Sequence, residues 1–195
     1  MTWPVELAEG PVRLRPLRRR DARAWRRVRA ANVQWLGPWE ASSPEPAPPR
    51  RYGEMLRELR RQARDGRALP FVIEHAGSFV GQLTVGGVMW GSLRSAHLGY
   101  WVDQKVAGRG VVPTAVALAV DHCLFSVGLH RIEVNVRPEN TASLRVVAKL
   151  GFRDEGLRRA YLHIDGAWRD HRTFALTAED VPEGLLARWR TTPSR

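Results

Sequence analysis

The stretch that decides the fold is Gly99-Tyr100-Trp101-Val102-Asp103-Gln104-Lys105-Val106-Ala107-Gly108-Arg109-Gly110-Val111-Val112. It predicts the end of a strand, a glycine-containing loop, and an apolar helix from Val111 to about Phe125. The N-terminus of a helix favours an anion, because it carries unpaired N–H groups and the positive end of the helix dipole. Gly108 and Gly110 lack the Cβ atoms that would hold a phosphate away from the backbone. By itself, Gly-x-Gly after a strand is a weak motif, since most such sequences are tight turns.

The composition is that of a soluble globular protein. The chain has 195 residues, of which 44% are hydrophobic and 26% are charged, and this predicts one domain spanning residues 1–195. No signal peptide is expected at the N-terminus, and no apolar run approaches the ~20 residues of a membrane span. The single Cys123 excludes an internal disulfide. We therefore expect a cytoplasmic protein without membrane contact.

The net charge of +11 predicts attraction to polyanions. It does not identify one. A solvated basic surface, an anionic small ligand, and a weak contact with a ribosome or RNA all remain open. There is no internal repeat and no zinc-binding or RNA-reading motif in the sequence.

The hydrophobic periodicity predicts an α/β sandwich with a mixed sheet, in the order βααβββαβαββ. The core covers residues 11–177, and 178–195 form a peripheral helix and tail. Asp21 is expected to cap the first helix, and the proline-rich residues 41–50 are expected to form an extended loop. The predicted strands cover about 11–17, 69–75, 79–88, 96–102, 131–136, 152–163 and 167–176, and the predicted helices about 22–31, 52–63, 111–125, 141–150 and 179–189.

A second motif is more specific than the glycine loop. It is Arg137-Pro138-Glu139-Asn140-Thr141-Ala142-Ser143-Leu144-Arg145-Val146-Val147-Ala148-Lys149-Leu150-Gly151-Phe152-Arg153-Asp154-Glu155-Gly156. Together with Lys105-Val106-Ala107-Gly108-Arg109-Gly110, it resembles the signatures of the GNAT family of N-acetyltransferases. The resemblance is greatest to the RimJ/RimL branch, which acetylates protein N-termini, and it covers residues 11 to 177. Trp35-Leu36-Gly37-Pro38-Trp39 and Arg169-Asp170 also resemble that branch.

The resemblance implies a site for acetyl-coenzyme A (acetyl-CoA) and no metal. In the family, N–H groups of the glycine loop hold the pyrophosphate, and the preceding strand pairs with pantetheine and supplies an oxyanion donor. Lys105 stands where the family has Gln or Arg, which leaves this cradle intact. The implied cofactor-binding residues are Trp101, Val102, Asp103, Gly108, Arg109, Gly110, Val111, Val112, Asn140, Ser143, Arg145 and Lys149.

Several of these residues also have a purely structural interpretation. Asn140 is a good N-cap for the helix that carries Ser143. Arg109, Arg145 and Lys149 are equally compatible with a solvated surface.

The resemblance implies that Ser143 gives a proton to the departing thiolate, although it could merely orient groups or cap its helix. The thiolate needs modest help, since a thiol pKa lies near ~8.5.

The general base is left open. Some relatives have a glutamate five residues before the asparagine, where this chain has Asn135. Glu133, Tyr161 and Asp103 are the alternatives. Neutralising a peptide α-amine of pKa about 7.7–8 at pH 7 costs roughly 1.4 kcal/mol, against roughly 4.6 kcal/mol for a lysine. A site without a strong base therefore favours an N-terminal amine as acceptor.

The acceptor groove is expected to involve Trp35, Trp39, Glu40 and Tyr100. The two tryptophans could equally fill the core between the first helices, and Glu40 could be an exposed carboxylate. Tyr100, like Trp101, could simply pack in the sheet.

We predict an acetyl-CoA-dependent N-acetyltransferase that acts on a protein N-terminus, such as the alanine of a ribosomal protein, by direct transfer. It is expected to be a monomer or homodimer. The alternatives are a small-amine or antibiotic acetyltransferase, and a non-catalytic ribosome- or RNA-binding protein on the same scaffold. His130, His163 and His171 are too scattered in the sequence to suggest a metal site.

Overall fold

The computed structural model describes residues 3–45 and 51–192. The prediction for the proline-rich loop falls in part on residues 46–50, which lie outside the described residues. The strands are β1 (Leu7–Glu9), β2 (Val12–Pro16), β3 (Leu69–His75), β4 (Ser78–Met89), β5 (Ser95–Val102), β6 (Arg131–Val136), β7 (Arg153–Ile164) and β8 (Ala167–Thr177). The helices are α1 (Ala22–Ala31), α2 (Val33–Leu36), α3 (Tyr52–Arg64), α4 (Val111–Asp121), α5 (Thr141–Lys149) and α6 (Leu185–Thr191).

The eight strands form one sheet in the order β1-β2-β3-β4-β5-β6-β8-β7. Every neighbouring pair is antiparallel except β5 and β6, which run parallel. That parallel pairing extends from Ser95–Arg131 to His97–Glu133 and no further. The C-terminal halves of β5 and β6 therefore separate, and they open the middle of the sheet.

Helices cover both faces of the sheet. On one face the apolar helix α4, with α5 and α6, packs against the inward residues of the strands in a large core cluster. On the other face α1 and α3 form a smaller cluster with Val72 and Phe79 of the sheet. The predicted sandwich with a mixed, mostly antiparallel sheet is confirmed.

Two predictions about helix ends were wrong. Asp21 occupies the N-cap position of α1, but its side chain makes no capping hydrogen bond, since its buried carboxylate instead accepts hydrogen bonds from the Arg15 guanidinium at 2.8 and 2.9 Å and from the Arg18 N–H. The last helix begins at Leu185, not at Glu179, after a short 3-10 turn. Its first N–H groups bind the Asp121 carboxylate, and Leu185 is completely buried against the core. The start of α6 depends on a partner 64 residues earlier in the chain, whereas the partners of Asp21 lie six and three residues away.

The sequence pattern also missed β1, which is only three residues long and pairs with β2. Beyond Asp121 the predicted continuation of α4 is present as π-helix over His122–Val127. No helix in the described part of the chain combines the length and apolar character needed to cross a membrane.

Candidate active site

The gap between β5 and β6 leads into a cavity of about 1060 Å³. One wall is made by the glycine loop and the N-terminal ends of α4 and α5. The other wall is made by α1, α2 and the outer face of β4 and β5. The cavity therefore lies where two groups of elements meet across the opened sheet, as is common for ligand sites.

The glycine loop makes the turn into α4 with two residues in the left-handed region. Gly108 has φ +77° and Gly110 has φ +76°, and both line the cavity. Such backbone angles favour glycine. Val111 and Val112 follow as the buried first turn of α4, and their N–H groups lack earlier helical partners. The loop thus presents the helix N-terminus that the sequence predicted as an anion site.

Asn140 fulfils its structural role at the start of α5. Its side-chain oxygen accepts a hydrogen bond of 3.0 Å from the Ser143 N–H. This cap fixes the first turn of the helix and places Ser143 on the cavity wall.

Tyr100 projects from β5 toward α5. Burial raises the pKa of its phenol to about 12, while an interaction with the Ser143 side chain opposes that rise. The Tyr100 Oη atom is buried, yet it makes no hydrogen bond of normal geometry with the described residues. The Ser143 side chain is therefore close enough to lower the pKa of the phenol, but the Tyr100 Oη atom still has no hydrogen-bond partner among the described residues.

Tyr100 and Trp101 lie on opposite faces of β5, because successive side chains alternate along a strand. Tyr100 packs against the α4–α5 core, whereas Trp101 packs with α1 and α3. The side chain of Tyr100, which we expected in the acceptor groove, is thus on the face of the glycine loop. The side chain of Trp101, a residue that we expected to bind the cofactor through its backbone and to pack through its side chain, is on the opposite face.

The backbone edge of β5 faces the gap at alternate residues. The Asp103 N–H donates a 2.7 Å hydrogen bond to the Val80 carbonyl of β4. Because backbone groups alternate along a strand, the N–H and C=O groups of Val102 and Tyr100 point away from β4 and into the gap. The Val102 carbonyl accepts a hydrogen bond of 3.2 Å from the Trp35 indole. The remaining groups on this edge are placed to pair with an extended ligand in the gap.

The tryptophan-rich wall contains an arginine between aromatic rings. The Arg29 guanidinium lies 5.3 Å from the ring centroids of both Trp25 and Trp101. It also forms an ion pair with Glu40. Among the described residues that line the cavity, Glu40 is the only carboxylate, so this wall is close to neutral.

Trp39 is held at the opening of the cavity by Arg137, which follows β6. The guanidinium lies 5.4 Å from the Trp39 ring centroid and donates a 2.7 Å hydrogen bond to Pro38 O. Trp35 and Trp39 therefore both line the cavity and connect α2 to the sheet.

His97, which no sequence motif indicated, lines the tryptophan-rich side of the cavity. Its ring lies over the backbone of β4, where a Cβ on Gly87 would come within 2.5 Å of it. Desolvation of the imidazole by the surrounding protein lowers the pKa of His97, and the negative charge of Glu133 opposes that shift. Side-chain alternation along β5, which puts 97 and 101 on one face, was the signal that could have found it.

The three other catalytic candidates do not line the cavity. Glu133 lies opposite His97, but its carboxylate accepts hydrogen bonds from Arg131 and Arg158 at 3.0 to 3.1 Å. The Asn135 oxygen accepts one of 2.8 Å from Thr173. The Arg158 guanidinium lies over the Tyr161 ring, 4.9 Å from the ring centroid.

The charged cofactor candidates divide into two groups. Arg145 and Lys149 are exposed on α5 and line the cavity, whereas the exposed Arg109 does not. Asp103 is a structural residue, since its carboxylate accepts from the Lys105 N–H and from the Asn32 side chain, both at 3.1 Å.

Neither a metal site nor a reactive thiol is present in the part of the chain that the structure describes. No group of three His, Cys, Asp or Glu side chains is arranged to hold an ion. Cys123 is buried, and burial raises the pKa of its thiol to about 12. It is therefore unsuited to act as a nucleophile.

Comparison with known proteins agrees with this geometry. The family model for the acetyltransferase (GNAT) domain matches residues 12–153. The chain is 34% identical over 172 residues to the [ribosomal protein uS5]-alanine N-acetyltransferase of Escherichia coli (strain K12), covering 84% of this chain and 87% of that protein. A match of 38% over 101 residues to the probable N-acetyltransferase YjcK of Bacillus subtilis spans 52% of this chain and 56% of that protein.

Solved structures give the same result. Mycobacterium smegmatis RimJ in complex with CoA-disulfide is 48% identical, with a TM-score of 0.90 over 95% of this chain and 93% of that chain. The ribosomal-protein-S5-alanine acetyltransferase from Vibrio fischeri is 26% identical, with a TM-score of 0.80 over 90% and 98%.

A GNAT acetyltransferase is the class of protein that this fold and site define. The chain belongs to the GNAT family, is an N-acetyltransferase, and uses acetyl-CoA as its acetyl donor. The site fits that donor, since the glycine loop exposes N–H groups for phosphates and β5 has a free backbone edge. The buried Oη of Tyr100 has no hydrogen-bond partner among the described residues, so it is free to bond to a ligand in the cavity.

Proposed function

We propose that the protein transfers an acetyl group to the α-amine of a protein N-terminus, with an alanine of a ribosomal protein as the expected acceptor. The observation that carries this proposal is the cavity through the opened sheet, with a phosphate-type helix N-terminus on one wall and tryptophans on the other. The relatives named above as ribosomal-protein alanine acetyltransferases support the choice of acceptor.

The electrostatics of the cavity also favour an α-amine. Its one carboxylate, Glu40, is paired with Arg29. An α-amine of pKa about 7.7–8.0 is partly neutral at pH 7, whereas a lysine of pKa about 10.4 needs a strong base or an unpaired carboxylate. The site therefore suits the weaker base.

His97 is our candidate for the general base. Its imidazole is accessible from the cavity, and its lowered pKa keeps it neutral and able to accept a proton at pH 7. Glu133, held by two arginines, stabilises the imidazolium that forms. This assignment replaces Asn135 and Tyr161, which lie outside the cavity lining.

Ser143 is our candidate for the general acid, and Tyr100 is its positioning residue. The amine nitrogen attacks the thioester carbonyl, whose oxygen is stabilised by a backbone N–H on the β5 edge. The C–S bond breaks, the sulfur takes the Ser143 proton, and His97 takes the proton of the amine. That proton then passes through solvent from the imidazolium to the Ser143 oxygen, which restores both residues for the next turnover. Tyr100 keeps its own proton, because burial raises the pKa of its phenol to about 12. Its Oη has no hydrogen-bond partner among the described residues, and in the reacting complex it donates a hydrogen bond that orients Ser143.

The test is release of CoA thiol from acetyl-CoA in the presence of a panel of acceptors. Peptides that begin with Ala, Ser or Met, polyamines and aminoglycosides should separate the candidate functions. We expect the greatest kcat/KM with an Ala-initiated peptide. Preference for a polyamine or aminoglycoside would indicate the small-amine alternative, and absence of turnover with every acceptor would contradict the proposal.

A further inference from the structure

The positive charge of the chain is concentrated on one face. Residues 18–31, which include α1, carry seven arginines and one aspartate. Residues 51–67, which include α3, carry six arginines and three carboxylates. These two neighbouring segments therefore hold nine of the eleven net positive charges of the whole protein. The remainder of the chain is nearly balanced.

Between α1 and α3 lies a groove of about 890 Å³, which we call the arginine groove. Five arginines line it, and within the described ranges none of them has an ion pair with a carboxylate. The one lining carboxylate, Glu54, accepts a hydrogen bond from the Arg51 N–H. The five are Arg19, Arg26, Arg51, Arg57 and Arg60.

Several arginines elsewhere in the fold are paired with carboxylates. Arg15, Arg131 and Arg153 each contact two carboxylates. Converging guanidiniums without carboxylates repel one another, so an anionic ligand at the arginine groove is favourable. A planar guanidinium group can donate two parallel hydrogen bonds to two oxygens of one phosphate.

The distribution of apolar side chains favours RNA over a membrane surface. Stable membrane binding by a basic face needs apolar residues that insert beside it. The large exposed apolar side chains of the described chain all lie outside the arginine groove. Several separated guanidiniums along a concave surface instead match the repeated phosphates of a nucleic acid strand.

The arginine groove adjoins the cavity between β5 and β6 described above. Trp25 lines both, and Met55 of α3 reaches the cavity from the same layer. A nucleic acid bound in the groove therefore lies beside the tryptophan-rich wall that we assign to the acceptor.

We propose that the arginine groove binds the phosphate backbone of RNA, and so docks the enzyme on a ribonucleoprotein whose protein N-terminus enters the cavity. The proposal rests on the function proposed above, because that function supplies an acceptor that is associated with RNA. It assigns a binding role to residues outside the acetyl-transfer site.

The experiment measures binding of the full chain to a short labelled RNA duplex over a salt series. Five phosphate contacts predict a slope of log K against log salt of about −4.5, at roughly −0.9 per contact. R26E/R57E should lower RNA affinity at least about tenfold and reduce the slope by about 1.8. The control R94E/R159E makes the same charge change at exposed arginines outside the groove, and it should change affinity less than about threefold.

Equal loss in the two double variants would overturn the proposal, since it would show a response to net charge alone. Tighter binding to phosphatidylglycerol vesicles than to RNA at the same salt would overturn it in favour of a membrane. Acetylation of a free Ala-initiated peptide should be the same in R26E/R57E as in the original protein. If no peptide is acetylated while RNA binding shows the expected pattern, the acceptor assignment fails and the RNA site stands.

Discussion

The phenol of Tyr100 on β5 lies beside the side chain of Ser143 on α5 in the wall of the cavity, and its buried oxygen has no hydrogen-bond partner among the described residues. The two residues are 43 positions apart in the chain. They are brought together because β5 and β6 separate, which lets the first turn of α5 approach β5. The relationship makes Tyr100 the natural partner of the proposed general acid.

Substitution Y100F should lower kcat about 3- to 10-fold, corresponding to one lost hydrogen bond of about 1 kcal/mol, with little change in KM for acetyl-CoA. The double variant Y100F/S143A should be no slower than S143A, because Tyr100 acts through Ser143. Steady-state kinetics on the three variants tests this. Multiplicative losses in the double variant would show that the two residues act independently.

Substitution S143A should lower kcat at least about 10²-fold if the hydroxyl protonates the leaving thiolate. Binding of acetyl-CoA, measured by calorimetry, should change less than about threefold, since the Asn140 cap uses the Ser143 backbone N–H and not its side chain. Unchanged turnover would remove Ser143 from the mechanism.

Substitution H97N should lower kcat about 10²-fold at pH 7 through loss of the proton acceptor. Because the pKa of His97 is lowered, the original protein should stay active down to a pH below about 6.5 and lose activity only as the imidazole becomes protonated. The variant should lack this acidic limb in a pH profile of kcat. H75N is the control, since His75 on β3 does not line the cavity. An acidic limb that survives in H97N would assign it to another group.

Substitution G110A should destabilise the protein by about 1–2 kcal/mol, because Gly110 has φ +76°. It should also weaken acetyl-CoA binding at least about tenfold, which corresponds to ~1.4 kcal/mol, by displacing the N–H groups at the start of α4. G77A is a matched control with the same φ in the turn between β3 and β4. Both variants should lose stability in thermal unfolding, and only G110A should lose affinity. Equal affinity would show that the loop does not hold the donor.

Substitution R15M should lower the free energy of unfolding by about 3–5 kcal/mol, because it leaves the buried Asp21 carboxylate without its guanidinium partner. R13M on the same strand removes an exposed pair with Glu6 and should cost less than about 1 kcal/mol. Urea denaturation compares the two variants. Similar losses would mean that the ion pair of Arg15 contributes little.

Most of the fold followed from local pattern. The change from helical to alternating periodicity at Leu69, the turn at Ala76–Gly77, and the long apolar run after Gly110 each predict an element that the structure contains. Two elements whose bounds depend on pairing with another segment were missed or misplaced. The short β1 exists through pairing with β2, and the start of α6 is fixed by Asp121, 64 residues earlier.

The candidate site was predictable to a lesser extent. The glycine loop and the Asn140 cap each involve only residues that are close along the chain, so their residues could be identified from sequence spacing. The faces of Tyr100 and Trp101 and the place of His97 in the cavity wall depend on which side of β5 each helix covers. Likewise, Glu133 was a plausible base until Arg131 and Arg158 were found on its carboxylate.

The sequence by itself therefore determined most of the elements, the family resemblance, and the motifs of the glycine loop and the Asn140 cap, because these depend on residues that are close along the chain. Tertiary structure alone decided the proximity of Tyr100 to Ser143 and the exposure of His97 to the cavity. It also decided the gathering between α1 and α3 of arginines that have no ion pair within the described ranges. These features arise from the partial parallel pairing of β5 with β6 and from the packing of helices onto the two faces of the sheet. No local pattern encodes such a contact, because its free energy depends on groups from several distant segments at once.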